Sequence, residues 1–328
     1  MLHNISSKDL LEQGAERLPK SRAKSVLFFI CMGWRTIYIE ENNYLSLYLD
    51  NIKIRNVNDE DVLVPLKDID VIVLDNYKST ISANLLSKCS EYNINLIICD
   101  MNHLPVSQLL AISGNCLSSK MLFKQLSWDN DMKGELWKNI VYHKIDNQLS
   151  VLKTNNLDNS YIEMIESLKN SIEFYDLTNR EGLTARIYFR ALFGEKFRRF
   201  EEDTINAGLN YGYIVLRTMI AKSLVGKGLN CMLGIFHKGE SNEYNLADDI
   251  IEVFRPIIDN YVYNNLRNEV LFTRNHRLEI IKILNNKIEI NGRKQTISNA
   301  IDMYIDSIIN YFETGKEVCF PKTKLYDI

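Results

Sequence analysis

The side chains suited to chemistry gather in the second half of the chain, as a set of carboxylates and one histidine, His237. Glu181 opens Glu181-Gly182-Leu183-Thr184-Ala185-Arg186. It is a candidate metal ligand, and Thr178-x-x-Glu181 is also the pattern of a helix capping box. His237 follows a short apolar run in Gly234-Ile235-Phe236-His237-Lys238-Gly239. A neutral imidazole there serves as metal ligand or general base, or is an ordinary surface residue. Asp249 and Glu252 stand three apart in Asn245-Leu246-Ala247-Asp248-Asp249-Ile250-Ile251-Glu252. On a helix they share a face, as a reactive pair or as a solvated acidic strip. Asn245 is placed to cap that helix, and Pro256 to kink or end it.

A basic cluster lies beside Glu181: Arg180, Arg186, Arg190, Lys196, Arg198 and Arg199 are opposed only by Glu181 and Glu195. Arg186 and Arg190 are i,i+4 neighbours, placed together either to meet phosphates or to solubilise a helix face. The whole chain gives no such signal, because 39 Lys and Arg against 42 Asp and Glu leave a net charge of −3. Polyanion binding therefore falls to a local patch. The dinucleotide, phosphate-loop, zinc-protease and serine-hydrolase fingerprints are missing.

These residues need a folded scaffold. The length of 328 residues favours two domains, and 46% hydrophobic residues with only 5 Pro and 14 Gly exclude a largely disordered or fibrous chain. The 6 Cys occur singly, with no C-x-x-C pair, which suits reduced thiols in a cytoplasmic protein. The apolar run at residues 26–32 is far shorter than the roughly 20 residues that span a bilayer, so no membrane association is expected. Residues 34–101 read as short strands with period-2 alternation and one small helix at residues 82–92. After Pro105 the period becomes helical: Ile205, Leu209, Tyr213, Leu216, Ile220 and Leu224 form one stripe, and Leu246, Ile250, Val253, Ile257 and Tyr261 another. The expected class is α+β, a β-rich N-terminal domain followed by a larger all-α catalytic domain. The expected boundaries are 1–31 (an extension or mis-called start, Met32 being an alternative first residue), 32–104, 105–319, and a flexible tail at 320–328.

Taken together, these segments resemble the CRISPR-associated integrase of spacer acquisition, the first of the numbered Cas proteins, and especially its type II branch. The likeness is carried by Met32-Gly33-Trp34-Arg35-Thr36, Asp176-Leu177-Thr178-Asn179-Arg180-Glu181-Gly182, Ala185-Arg186-Ile187-Tyr188-Phe189 and Ile205-Asn206-Ala207-Gly208-Leu209-Asn210-Tyr211-Gly212-Tyr213. His237 and Asp249-Ile250-Ile251-Glu252-Val253-Phe254-Arg255-Pro256 complete it. Val253 stands where type II relatives often carry Pro. The resemblance implies a dimerising β-sandwich-like domain and a helical domain holding Mg²⁺ or Mn²⁺ through Glu181, His237 and Glu252, with Asp249 as a possible second acid. Arg186, Arg190 and Lys238 are the expected phosphate contacts. The implied activity is metal-dependent DNA transesterification that inserts captured DNA into a repeat array, with endonuclease activity. The implied partners are double-stranded DNA, a second copy in a homodimer, the small ferredoxin-like adaptation protein, and the type II effector with accessory adaptation proteins. The competing readings are a metal-dependent DNA or RNA nuclease without integration and a non-enzymatic helical DNA-binding scaffold.

Overall fold

A computed structural model of the chain describes residues 26–31, 34–56, 61–111 and 115–326. The N-terminal part holds two sheets. One runs β1 (Val26–Cys31), β2 (Trp34–Ile39), β6 (Ile69–Leu74), β8 (Asn95–Cys99), β9 (Pro105–Leu109), with parallel β2–β6 and β6–β8 pairs inside antiparallel edges. The other runs β5 (Val62–Pro65), β4 (Asn51–Asn56), β3 (Asn43–Tyr48), β7 (Thr80–Ile81). Helix α1 (Ala83–Glu91), capped by Ser82, completes this layer.

The central strands of the first sheet, β2, β6 and β8, form a wall with two largely buried faces, which explains their continuous apolar runs. Because successive side chains alternate, Ile37, Ile39, Ile72, Leu74 and Leu96 join the N-terminal core with Leu45, Ile52 and Leu85. Tyr38, Val71, Val73, Ile97 and Cys99 face the other way, into the core of the helical part. The two parts therefore share a hydrophobic seam.

The helical part comprises α2 (Ser118–Leu126), α3 (Asn130–Thr154), α4 (Asn159–Lys169), α5 (Arg180–Phe193), α6 (Thr204–Gly226), α7 (Asn245–Ile251), α8 (Arg255–Asn265), α9 (Arg274–Ile283) and α10 (Ile297–Thr314). Both stripes expected from the sequence are largely buried: Leu209, Leu216, Ile220 and Leu224 on α6, and Leu246, Ile250, Val253 and Ile257 across the α7–α8 junction, are all inaccessible to solvent. Pro256 stands in the first turn of α8 and marks the break from α7, as its missing N–H requires.

Two expected boundaries need correction, and one element is added to the helical part. Val26–Cys31 pairs with β2 along its length, so the sheet begins before the boundary drawn at residue 32; residues 1–25 and the proposed start at Met32 lie outside the described residues. The expected fold class holds, a β-rich N-terminal part followed by a larger helical part, and the helical part also carries a small three-stranded sheet. β10 (Lys287–Ile290) and β11 (Arg293–Thr296) form a hairpin about Asn291-Gly292, both at positive φ (50° and 70°), with Ile288 and Ile290 buried; Asn-Gly is the favoured pair for such a turn. Residues 320–326 of the expected tail are not loose, because β12 (Lys322–Tyr326) pairs with β10. The Asn147 amide also donates to the Pro321 carbonyl, and its oxygen accepts the Thr323 N–H.

Candidate active site

The turn before α5 is tightly specified. Tyr175, Asp176 and Asn179 all have positive φ, between 51° and 56°, a conformation costly for residues with a Cβ. The turn is held from two sides. The Asp176 carboxylate accepts the backbone N–H groups of Arg180 and Glu181, at 2.8 and 2.9 Å, and Asn179 Oδ1 accepts that of Gly182. Below, Phe174 and Tyr175 lie against Gly134 of α3, where a Cβ would sit 2.2 Å from the Phe174 ring. Asn179, not Thr178, is therefore the N-cap, and the Thr178–Glu181 capping box does not form. Glu181 is left free to reach outward from the first turn.

It reaches Lys144. The Lys144 ammonium, on α3, pairs with both Glu181 and Glu252, so carboxylates from two separate elements meet on one cation. Lys144 and Glu252 are almost fully buried, at 7% and 8% side-chain exposure, while Glu181 keeps 30%. Of the two readings of the Asp249/Glu252 face, the solvated strip is excluded, because both carboxylates are buried. Arg255 Nε donates to Glu252 Oε1 at 2.9 Å, and its guanidinium lies over the Tyr213 ring at 4.5 Å. Burial disfavours the Glu252 charge, but Arg255 and Lys144 outweigh it and hold the carboxyl below the usual range. Burial likewise disfavours the Lys144 ammonium, and Glu252 with Glu181 drives its pKa up instead.

Glu181, Glu252, Lys144 and Arg255 line an open cavity of about 1010 Å³, with Arg199, Gln148, Tyr213 and Asp259. Asp259 is buried, accepts the Tyr213 hydroxyl proton, and is pushed by burial up to about 6.

His237 is placed differently. Asp249, wholly buried, accepts the N–H groups of Ile235, Phe236 and His237 at 2.5, 3.0 and 3.1 Å, and contacts His237 Nδ1 at 2.7 Å. Four hydrogen bonds fill a carboxylate's acceptor capacity, so Asp249 positions the histidine loop and has no lone pair left for a shared metal. With Nδ1–H donating to Asp249, the lone pair of His237 sits on Nε2; the hydrogen bond to Asp249 is the main cause of a raised His237 pKa. Trp137 meets the imidazole edge-on and stacks on Phe236 at 4.2 Å. Asn245, expected as a cap, is the first residue of α7 and instead ties down this loop, accepting Gly239 N–H and donating to the Met232 and Gly239 carbonyls.

His237 lines a different cavity, of about 620 Å³, with Lys133 and Lys238. Among the described residues no three His, Cys, Asp or Glu side chains converge closely enough to hold a metal ion. The structure thus joins Glu181 to Glu252 and holds His237 apart from them. The carboxylate pair still fits a divalent cation: two hard oxygen donors, from two separate elements, already share one positive charge. Arg186 is exposed, Arg190 pairs with Glu195 at 3.5 Å, and neither lines the large cavity. Lys144, Arg255 and Arg199 are its cations instead.

The family model described as CRISPR associated protein Cas1 matches residues 37–286. The CRISPR-associated endonuclease Cas1 of Neisseria meningitidis serogroup C (strain 8013) is 37% identical over 279 residues, spanning 84% of this chain and 91% of that protein. A Cas1 protein from Thermotoga maritima superposes with a TM-score of 0.69 at 14% identity, covering 87% of this chain and 98% of that one. A casposase bound to integration product gives 0.68 at 19% identity, covering 87% and 92%. At these identities the two structures establish a shared fold.

Proposed function

The chain belongs to the CRISPR-associated Cas1 family, and from that premise we propose that it cuts and joins DNA phosphodiesters in spacer acquisition, as a metal-dependent endonuclease and integrase. The observation that carries this reading is the pair of carboxylates, Glu181 and Glu252, aimed at one buried point in the wall of a wide, open cavity.

In integration, the 3′ oxygen of a captured DNA end bonds to phosphorus at the leader–repeat boundary, and the bond from that phosphorus to the leader's 3′ oxygen breaks. The proton lost by the attacking hydroxyl is balanced by one gained at the leaving oxygen. Water in place of the DNA hydroxyl turns the same displacement into hydrolysis. Glu181 and Glu252, with His237 through Nε2, would hold Mg²⁺ or Mn²⁺. That ion supplies Lewis-acid polarisation of the phosphate and acidifies the attacking hydroxyl.

The remaining residues position this set. Arg255 fixes the Glu252 carboxylate from behind and neutralises part of its charge. Asp249 orients His237, the third member of the proposed set, within the 234–239 loop. Arg199, held by Asn206 and Asn210 at the cavity wall, offers a phosphate contact, and the exposed Arg186 and Lys238 offer others. The family further suggests a homodimer that works with the small ferredoxin-like adaptation protein. The test is a joining assay on a supercoiled plasmid carrying a repeat. Glu181→Ala, His237→Ala and Glu252→Ala are each expected to abolish joining while binding double-stranded DNA nearly as well as the parent. Undiminished joining by any one removes that residue from the set.

A further inference from the structure

Lys144 stands where α3 should carry an apolar residue. The inward face of this helix runs Trp137, Ile140, Val141, Lys144, Ile145, Gln148, Val151 and Leu152, all buried. Lysine is almost never this deeply buried without a partner. With Glu181 and Glu252 in place, an apolar side chain here would leave part of their charge uncompensated, and removing one partner of a buried ion pair is strongly destabilising. The charge itself is what the position keeps.

Its two carboxylate partners are the residues proposed above to hold a divalent cation, Glu181 from α5 and Glu252 from the α7–α8 junction. Two glutamates against Lys144 and Arg255 make a neutral quartet. Arg255 is locked in place by its bond to Glu252 and its seat over the Tyr213 ring. Lys144 is the movable member: a flexible four-carbon stem whose head meets one oxygen of each glutamate. Adding a dication beside both cations would leave four positive charges on two negative ones in a buried site. One cation must leave, and the wide cavity that Lys144 also lines gives it room.

We propose that Lys144 is a built-in counter-cation that holds Glu181 and Glu252 together in the metal-free protein and is displaced from between them by the incoming divalent ion; this rests on the metal-dependent function proposed above. Lys144 is then a positioning residue. It keeps two buried carboxylates from repelling each other and lowers metal affinity as an internal competitor.

The test is calorimetric titration of the full chain with Mn²⁺, comparing the parent with Lys144→Met, alongside thermal unfolding in EDTA. Lys144→Met is expected to bind Mn²⁺ about ten-fold tighter or more, the usual size of a coupling between exclusive ligands. It should also melt lower in EDTA and regain the difference with Mn²⁺. A folded Lys144→Met with equal or weaker affinity overturns the proposal. If the parent's Mn²⁺ site is meanwhile lost in Glu252→Gln, the metal reading survives and only the displacement fails. Absence of Mn²⁺ binding in both the parent and Lys144→Met overturns both. Should Lys144→Met not fold, the parent answers alone. Acetylation of Lys144 by an amine-reactive reagent, read by mass spectrometry, should rise several-fold with saturating Mn²⁺, and an unchanged or lower rate contradicts displacement.

Discussion

Asp259 sits beneath the cavity floor with its carboxyl pushed up to about 6 from an ordinary 3.8, chiefly by burial. Between those values the folded chain holds a proton that the unfolded chain has released, so stability must fall as pH rises. The contribution is fully present below pH 3.8 and is lost as pH passes through about 6. Its size is about 3 kcal/mol, from two pK units at 1.36 kcal/mol each. In Asp259→Asn this part of the pH dependence should vanish, read as urea unfolding free energies at pH 4.5 and 7 in EDTA; parallel slopes for the two proteins would contradict it. Residues of this kind were the hardest to read from sequence. Glu181, His237, Asp249 and Glu252 stood out by type and spacing. Asp249, however, proved a saturated acceptor that orients His237. Lys144 and Asp259 gave no signal beyond a charge inside an apolar stripe, because pairing across three helices is a tertiary event.

At the scale of elements, the geometry of Glu181 depends on a turn three residues of which are left-handed, pressed onto α3 at Gly134. Gly134→Ala would put a methyl group 2.2 Å from the Phe174 ring, so the turn or the helix must shift. We expect a loss of about 1–3 kcal/mol of stability, typical of overpacking, together with reduced strand joining. Both are measurable, by denaturant unfolding and by the plasmid assay, and unaltered stability with full joining would show that the turn tolerates displacement. The helical stripes of α6 and of the α7–α8 junction were legible because their period survives in the sequence. The β10–β11 hairpin was announced by Asn291-Gly292 but masked by the surrounding helical pattern. β12 was unreadable in principle, since its short polar strand exists only through pairing with β10 and with Asn147.

At the scale of the whole molecule, the β wall and the helices are joined by the shared seam and by a buried charged cluster. Tyr38 donates to Asp75, whose carboxylate also meets Arg277 of α9 at 3.4 Å and His103 at 2.8 Å. None of the described helices is long and apolar enough to cross a membrane. The α+β class was readable from the change of hydrophobic period near Pro105; the seam was not, because alternation within an all-apolar run does not say what covers each face. This frame brings α3, α5 and the α7–α8 junction to one point, where the divalent ion proposed above would bind together with His237. The most direct measurement is anomalous diffraction from Mn²⁺-loaded crystals of the full chain. The expected result is a manganese peak bonded to Glu181, Glu252 and His237 Nε2, with Lys144 no longer between the glutamates. A fully loaded crystal with the ion elsewhere, and Lys144 still bridging the two carboxylates, would contradict it.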